Sequence, residues 1–202
     1  MEVLVLETDR YAADLAVEQL TERGHRVLRC HDPGKPAFPC RALAGEGPCP
    51  LADPGVDVAL TVRAHPTART SPHEDGLACA LRARVPLVVA GRVALNPYEE
   101  WADGVVDDGD VVGTCERVVA GPSRGHTQVA RDALREATLR RAGESGDDEI
   151  DAFVRRNPDG LQVRLEGIGH LARSERGLVV TDVAAALRKF DAGARRIDIS
   201  LA

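Results

Sequence analysis

Short apolar runs alternate with amphipathic stretches through the first 120 residues. Val3-Leu4-Val5-Leu6 is continuous and too short for a helix, so residues 2–7 predict a buried strand. From Tyr11 to Arg23, apolar residues fall at Ala12, Leu15, Ala16 and Leu20, which is helical spacing, and Gly24 is a suitable stop. Val27-Leu28 opens a second strand, Val56–Val62 a third, Pro86–Ala90 a fourth and Gly104–Val106 a brief fifth. Between them, Glu74–Arg84 and residues 109–120 read as helices, and residues 97–102 allow a short one. Residues 31–55 hold many prolines and glycines and no sustained period. They predict a loop-rich insertion, with one short helix near Arg41–Ala44. Strands alternating with helices argue for an α/β fold, a parallel sheet of about five strands covered on both faces.

The pattern changes after residue 120. Residues 121–126 read as a linker and 127–142 as a helix rich in Arg, Ala and Glu; Gly143–Glu149 is acidic and predicts a flexible stretch. Ile150–Arg156 and Leu161–Leu165 alternate apolar and polar residues around Asn157-Pro158-Asp159-Gly160, a hairpin signal. Leu178–Phe190 places Val179, Val183, Leu187 and Phe190 on one helical face, and Arg195–Leu201 ends the chain as a strand. Residues 127–202 thus predict a small α+β domain of helix, hairpin, helix and strand, with a mostly antiparallel sheet. Helices on one face would leave the other open, either to form a homodimer or to pack on the first domain.

Composition narrows the function classes. The chain has 202 residues, enough for one large or two small domains. Aromatics make up only 3% of it, so its cores must be built mainly from Val, Leu and Ala. A net charge of −6 argues against a nucleic-acid or membrane-surface binder, which needs a basic footprint. Arg155, Arg156 and Arg164 form a local basic patch on the hairpin, which a solvated sheet face explains as well as a nucleic-acid contact does. No segment approaches the roughly 18 apolar residues of a membrane span. The N-terminus opens on a strand without a basic leader, so a cytoplasmic, reducing setting is expected.

In such a setting five cysteines read as free thiols or metal ligands before a disulfide framework. Cys30, Cys40 and Cys49 lie in or beside the insertion, and Cys79 lies in the helix after the third strand. In a parallel sheet of this kind those two segments share a face, so the four thiols could converge on zinc or on an iron–sulfur cluster. His31 could substitute as a ligand. Spacings other than C-x-x-C leave open a Cys40–Cys49 disulfide or no special role, and Cys115 reads as a core residue. His65, His73 and Glu74 flank the loop after the third strand, at the carboxyl edge where α/β folds bind ligands. With Glu7 and Asp9 they are the candidate small-molecule site. Ser123-Arg124-Gly125-His126 before a helix offers backbone N–H groups to an anion, or is simply the linker.

The first 120 residues resemble a response-regulator receiver domain, which has a flavodoxin-like fold. The resemblance puts the family's metal-holding acids at Glu7 and Thr8, with Asp9 one place beyond. It puts the phospho-accepting aspartate at Val62 and the hydroxyl residue at Gly91; Asp107-Asp108 stand where the family has Lys-Pro. Acyl-phosphate chemistry needs a carboxylate nucleophile, Mg²⁺ and a cation on the developing charge. The resemblance therefore implies a pseudo-receiver, a non-enzymatic regulatory protein that works through a protein partner. The alternatives are a cysteine-ligated redox sensor and a small-ligand-binding protein or enzyme at the carboxyl edge.

Overall fold

A computed structural model describes residues 1–52, 55–92, 94–107, 109–142, 150–157 and 159–202. The chain divides into two compact units, Met1–Ala120 and Gly121–Ala202.

The first unit is built on strands β1 (Glu2–Glu7), β2 (Arg26–Leu28), β3 (Val58–Arg63), β4 (Leu87–Gly91) and β5 (Gly104–Val106). They form one sheet in the order β2-β1-β3-β4-β5, and every pair is parallel. This order, with helices α1 (Asp14–Glu22) and α2 (Gly76–Arg82) in the crossovers after β1 and β3, is that of a flavodoxin-like α/β fold. The continuous apolar runs follow from burial on both faces. Val3, Val5, Val58, Leu60, Val88 and Ala90 face one core, with Leu20 of helix α1 (Asp14–Glu22) and Val112 and Cys115 of helix α3 (Val111–Ala120). Leu4, Leu6, Ala59, Leu87 and Val89 face the other, with Leu77 and Ala80 of helix α2 (Gly76–Arg82) and Tyr98. A 3₁₀ turn at Glu99–Trp101 follows β4 where a short helix was expected.

Two details depart from the sequence reading. Helix α2 begins at Gly76, because the backbone before it is taken up by turns at Ser71–Glu74 and Glu74–Leu77. Residues 41–44 form turns instead of a helix, closed by Ala44 N–H donating to Cys40 O and Gly45 N–H to Ala42 O.

The second unit runs α4 (Arg124–Ala142), β6 (Asp151–Asn157), β7 (Gly160–Glu166), α5 (Arg173–Phe190) and β8 (Ile197–Leu201). β6 and β7 form the expected hairpin, although Pro158 of its turn and the acidic Gly143–Glu149 stretch lie outside the described residues. β8 pairs parallel to β7, so the sheet is mixed and not mostly antiparallel. The cause is topological: an 18-residue helix between two adjacent strands carries the chain back to the starting edge, as in any βαβ crossover. Ala152, Val154, Leu161, Val163 and Leu165 face Ala130, Leu134, Val179, Val183 and Leu187 of the two helices. The opposite face presents Phe153, Arg155, Gln162, Arg164, Asp198 and Ser200.

Candidate functional site

The carboxyl edge of the parallel sheet is where chemistry would be expected, and a partly buried and a wholly buried ion pair occupy it. Glu7, the last residue of β1, is 1% exposed. Arg29 Nη1 donates to its Oε1 at 3.0 Å, and the Ala13 backbone N–H donates to its Oε2 at 3.1 Å, just before α1. Both oxygens of the carboxylate are thus engaged within the protein.

Arg63, the last residue of β3, and Glu74, two residues before α2, are wholly buried. Arg63 Nε and Nη2 donate to Glu74 Oε1 and Oε2 at 2.9 and 2.7 Å, a bidentate pair. Thr61 Oγ1 and the Ser71 N–H donate to the same carboxylate at 3.1 and 3.2 Å. The guanidinium also donates to Thr67 O and, at 3.2 Å, to Arg69 O. The Tyr98 ring lies 6.0 Å from the guanidinium carbon. Burial, with Glu74 adding, pushes the Tyr98 phenol up to about 12. This network folds the loop after β3 onto the sheet, and it uses both carboxylate oxygens of Glu74.

The remaining edge residues do not gather around a common point. Asp9 is exposed and accepts from Thr8 Oγ1 at 3.0 Å. His65 is exposed, and His73 Nδ1 donates to Lys35 O at 2.8 Å. Val62 pairs in register with Glu7, so the acceptor position of the resemblance holds a hydrocarbon side chain beside an engaged carboxylate. Gly91, at the hydroxyl position, has φ +84°, and a Cβ there would lie 2.3 Å from Arg63 O. A left-handed backbone and this close approach, where Arg92 N–H donates to Arg63 O at 2.9 Å, require glycine. Asp107 is exposed, and Asp108 lies outside the described residues.

The cysteines behave differently. All five are free thiols, Cys40 and Cys49 among them. Cys30 and Leu51 pack with Leu77 and Leu81 in the core under α2, so the insertion does cover that face of the sheet. Arg41 N–H donates to Cys30 O at 2.9 Å, which brings Cys40 beside Cys30. Cys30 Sγ lies against Gly76, where a Cβ would approach it to 3.1 Å; Cys79 is on the same helix, three residues further on. Burial pushes the Cys30 thiol up to about 11, and the Cys40, Cys79 and Cys49 thiols all act on it in the same direction. His31 Nδ1 is 3.4 Å from Cys30 Sγ. Burial, with His73 and Arg29 adding, holds the His31 imidazole below its ordinary range. Among the described residues no three His, Cys, Asp or Glu side chains stand at ligand spacing as they are placed. Cys115 belongs to the α1/α3 core, and burial raises its thiol to about 12.

In the second unit a buried Ser–His–Asp chain was not anticipated. Ser123 Oγ is 2.7 Å from His126 Nδ1, and His126 Nε2 is 2.9 Å from Asp191 Oδ2. His126 stacks edge-on against Phe190 at 5.2 Å. Residue types alone would suggest nucleophilic catalysis. However, Ser123 is buried, and its backbone N–H donates to Val154 O at 2.7 Å instead of standing free for an oxyanion. The chain of contacts instead ties the start of α4 to the end of α5. Only the Ser123–His126 half was visible in the sequence, as a serine three residues before a histidine at a helix start; Asp191 is 65 residues from His126.

The fold defines a flavodoxin-like α/β unit followed by a small three-stranded α+β unit. Compared with known proteins, the chain matches no family model and no curated sequence. Among the described residues, no helix is long and apolar enough to cross a membrane.

Proposed function

We propose that this chain is a non-enzymatic regulatory protein: a pseudo-receiver unit whose phosphotransfer chemistry is gone, followed by a unit that pairs with a second copy. The observation that carries the reading is the state of the carboxyl edge. Its two buried carboxylates are each taken up by an arginine and by backbone N–H groups, and Val62 occupies the nucleophile's position. Phosphoryl transfer needs an acid free to hold Mg²⁺ and an oxygen nucleophile in line with the donor. Valine supplies no nucleophile, and stripping Arg29 from Glu7 would leave a buried carboxylate without its charge partner. What such a scaffold retains is surface.

The partner surface is the open face of the β6-β7-β8 sheet. Phe153 stands there with the guanidinium carbons of Arg131 and Arg164 at 5.6 and 5.9 Å from its ring. A groove of about 810 Å³ runs along this face beside Phe153, Gln162 and Arg164. Both charge signs lie on it: Arg155 and Arg164 share cross-strand rows with Asp198 and Ser200. Such a face complements its own copy, since a two-fold axis can set the arginines of one copy against Asp198 of the other. An aromatic flanked by arginines is the usual composition of an interface centre.

The loss of phosphotransfer is tested by incubating the full chain with acetyl phosphate and Mg²⁺ and measuring intact mass. No phosphoryl adduct is expected. A stable adduct that maps to Glu7 or Asp9, and is lost on hydroxylamine treatment as an acyl phosphate would be, contradicts the reading.

A further inference from the structure

The two edges of the β6-β7-β8 sheet are finished differently. β6 turns backbone groups of Ala152 and Val154 outward, and the chain itself meets them. Ala152 N–H donates to Asp151 Oδ1 at 2.7 Å and Val154 N–H to Thr127 Oγ1 at 3.1 Å, while Val154 O accepts the Ser123 N–H at 2.7 Å. β8 is the other edge. Leu161 N–H donates to Arg196 O at 2.8 Å, and Ala202 N–H donates to Leu165 O at 2.9 Å. Backbone groups alternate sides along a strand, so Asp198 and Ser200 also turn theirs toward β7, and Ile197, Ile199 and Leu201 turn theirs outward. Among the described residues nothing hydrogen-bonds to these outward groups.

The side chains of the same three residues lie on the helix side of the sheet, in register with Leu161, Val163 and Leu165. Ile197 and Ile199 are only partly buried against that core, and Leu201 is 45% exposed. Edge strands are commonly guarded by lysine, proline or a bulge. β8 carries neither residue, and its register with β7 is unbroken. The charges beside it are one-sided. Arg188 and Lys189 end α5, Arg195 and Arg196 lead into β8, and all four are exposed. Arg196 Nε donates to Asp198 Oδ1 at 2.9 Å, whereas Arg188, Lys189 and Arg195 have no ion pair among the described residues.

From the open backbone and the cations at its start we infer that the β8 edge takes up an extended segment of a partner protein as an added strand, with acidic residues at the segment's C-terminal end. Main-chain hydrogen bonds to Ile197, Ile199 and Leu201 supply affinity, and alternate apolar side chains of the segment cover that half-bare row. The segment runs antiparallel to β8, the more stable of the two ladders. Its C-terminal end then passes Ile197 and reaches Arg195, Lys189 and Arg188, where carboxylates complement the charge. A second β8 suits the edge less well. Set antiparallel with Ile199 opposite Ile199, it brings Leu201 and Ala202 to these cations and no acidic side chain, and its Asp198 is already paired. The site is also distinct from the open sheet face proposed for self-pairing, because it uses the backbone of the edge and not the side chains around Phe153.

The test uses the full chain and a fluorescein-labelled peptide, Thr-Val-Thr-Val-Thr-Val-Glu-Glu-Glu, followed by anisotropy. This peptide is expected to bind, and the same peptide ending in Lys-Lys-Lys is not. Binding should weaken about tenfold or more in R195E/R196E. It should be unchanged in F153D/R164E, so that a failure of self-pairing and a failure of this inference are read separately. Two readouts need no variant. N-methylation of one alternate set of peptide amides should abolish binding, and methylation of the other set should spare it. Peptide should slow amide exchange, followed by NMR, at Ile197, Ile199 and Leu201 and not at Ala152 or Val154. The inference is overturned if the acidic peptide does not bind, if the lysine peptide or R195E/R196E binds equally well, if F153D/R164E loses binding, if both methylated sets bind alike, or if the slowed amides lie elsewhere. Slowed exchange at Ile197, Ile199 and Leu201 on concentrating the chain alone would assign the edge to a second copy and overturn it as well.

Discussion

Arg63 ends an apolar strand with its guanidinium wholly buried, and it meets a carboxylate that is equally buried. Nothing in the sequence marks it, because an arginine after Val58–Val62 reads as the point where a strand leaves the core. The partner is eleven residues away, across a loop without period, and only the fold makes them neighbours. Val62 and Gly91, by contrast, were legible: both follow from strand ends that apolar runs locate, and their lack of a carboxylate or hydroxyl needs no coordinates. The energetics at Arg63 are asymmetric. Removing one partner leaves a buried charge uncompensated, which costs about 3–5 kcal/mol, whereas replacing both by apolar groups of similar size is far milder. R63A is therefore expected to lower the urea-unfolding free energy by about that amount, and R63M/E74M by much less. An R63A loss below about 1 kcal/mol, the value typical of an exposed pair, would show that the network does not hold the loop.

At the scale of elements, the strands of both units were readable because their periods differ. Continuous runs marked strands buried on two faces, and alternation marked the half-buried hairpin. Helix starts were less readable. α5 begins at Arg173, five residues before the periodic stretch, because its first turn is polar and is fixed by Glu175 accepting from Ala172 N–H at 2.9 Å. α4 begins at Arg124 inside the expected linker, where Thr127 N–H donates to Ser123 O at 2.9 Å. The parallel placement of β8 escaped notice because strand direction depends on the crossover, and the run of residues 195–201 looks the same either way. The two helices of this unit are tied by His126 and Asp191, and that tie carries a pH dependence. The hydrogen bond from His126 holds the Asp191 carboxyl below its ordinary range. A folded-state pKa below the unfolded value of about 3.9 stabilises the fold above that pH. The contribution is lost as pH falls through the folded value. D191N is thus expected to cost about 1.5–3 kcal/mol at neutral pH and to flatten the fall in melting temperature below about pH 4. Equal acid sensitivity in both proteins would show that the tie is not charged.

At the scale of the whole molecule, the proposed function is binding in place of phosphoryl transfer. The parallel sheet keeps the architecture of a ligand-binding edge, yet its buried charged groups are spent on one another, leaving the cysteine-bearing insertion and the open sheet face without an assigned role in the fold. Sequence reasoning located both, the first from cysteine positions and the second from the one-sided hairpin, but it could not say which residues crown the open face. That depended on register, which puts Phe153 opposite Arg164 and Gln162 beside Asp198. The measurement that bears most directly on the account is sedimentation equilibrium of the full chain over a range of concentrations, beside F153D/R164E. The wild type is expected to be a dimer and the variant a monomer with unchanged circular dichroism. A wild-type chain that stays monomeric throughout, or a variant that dimerises as readily, would contradict it.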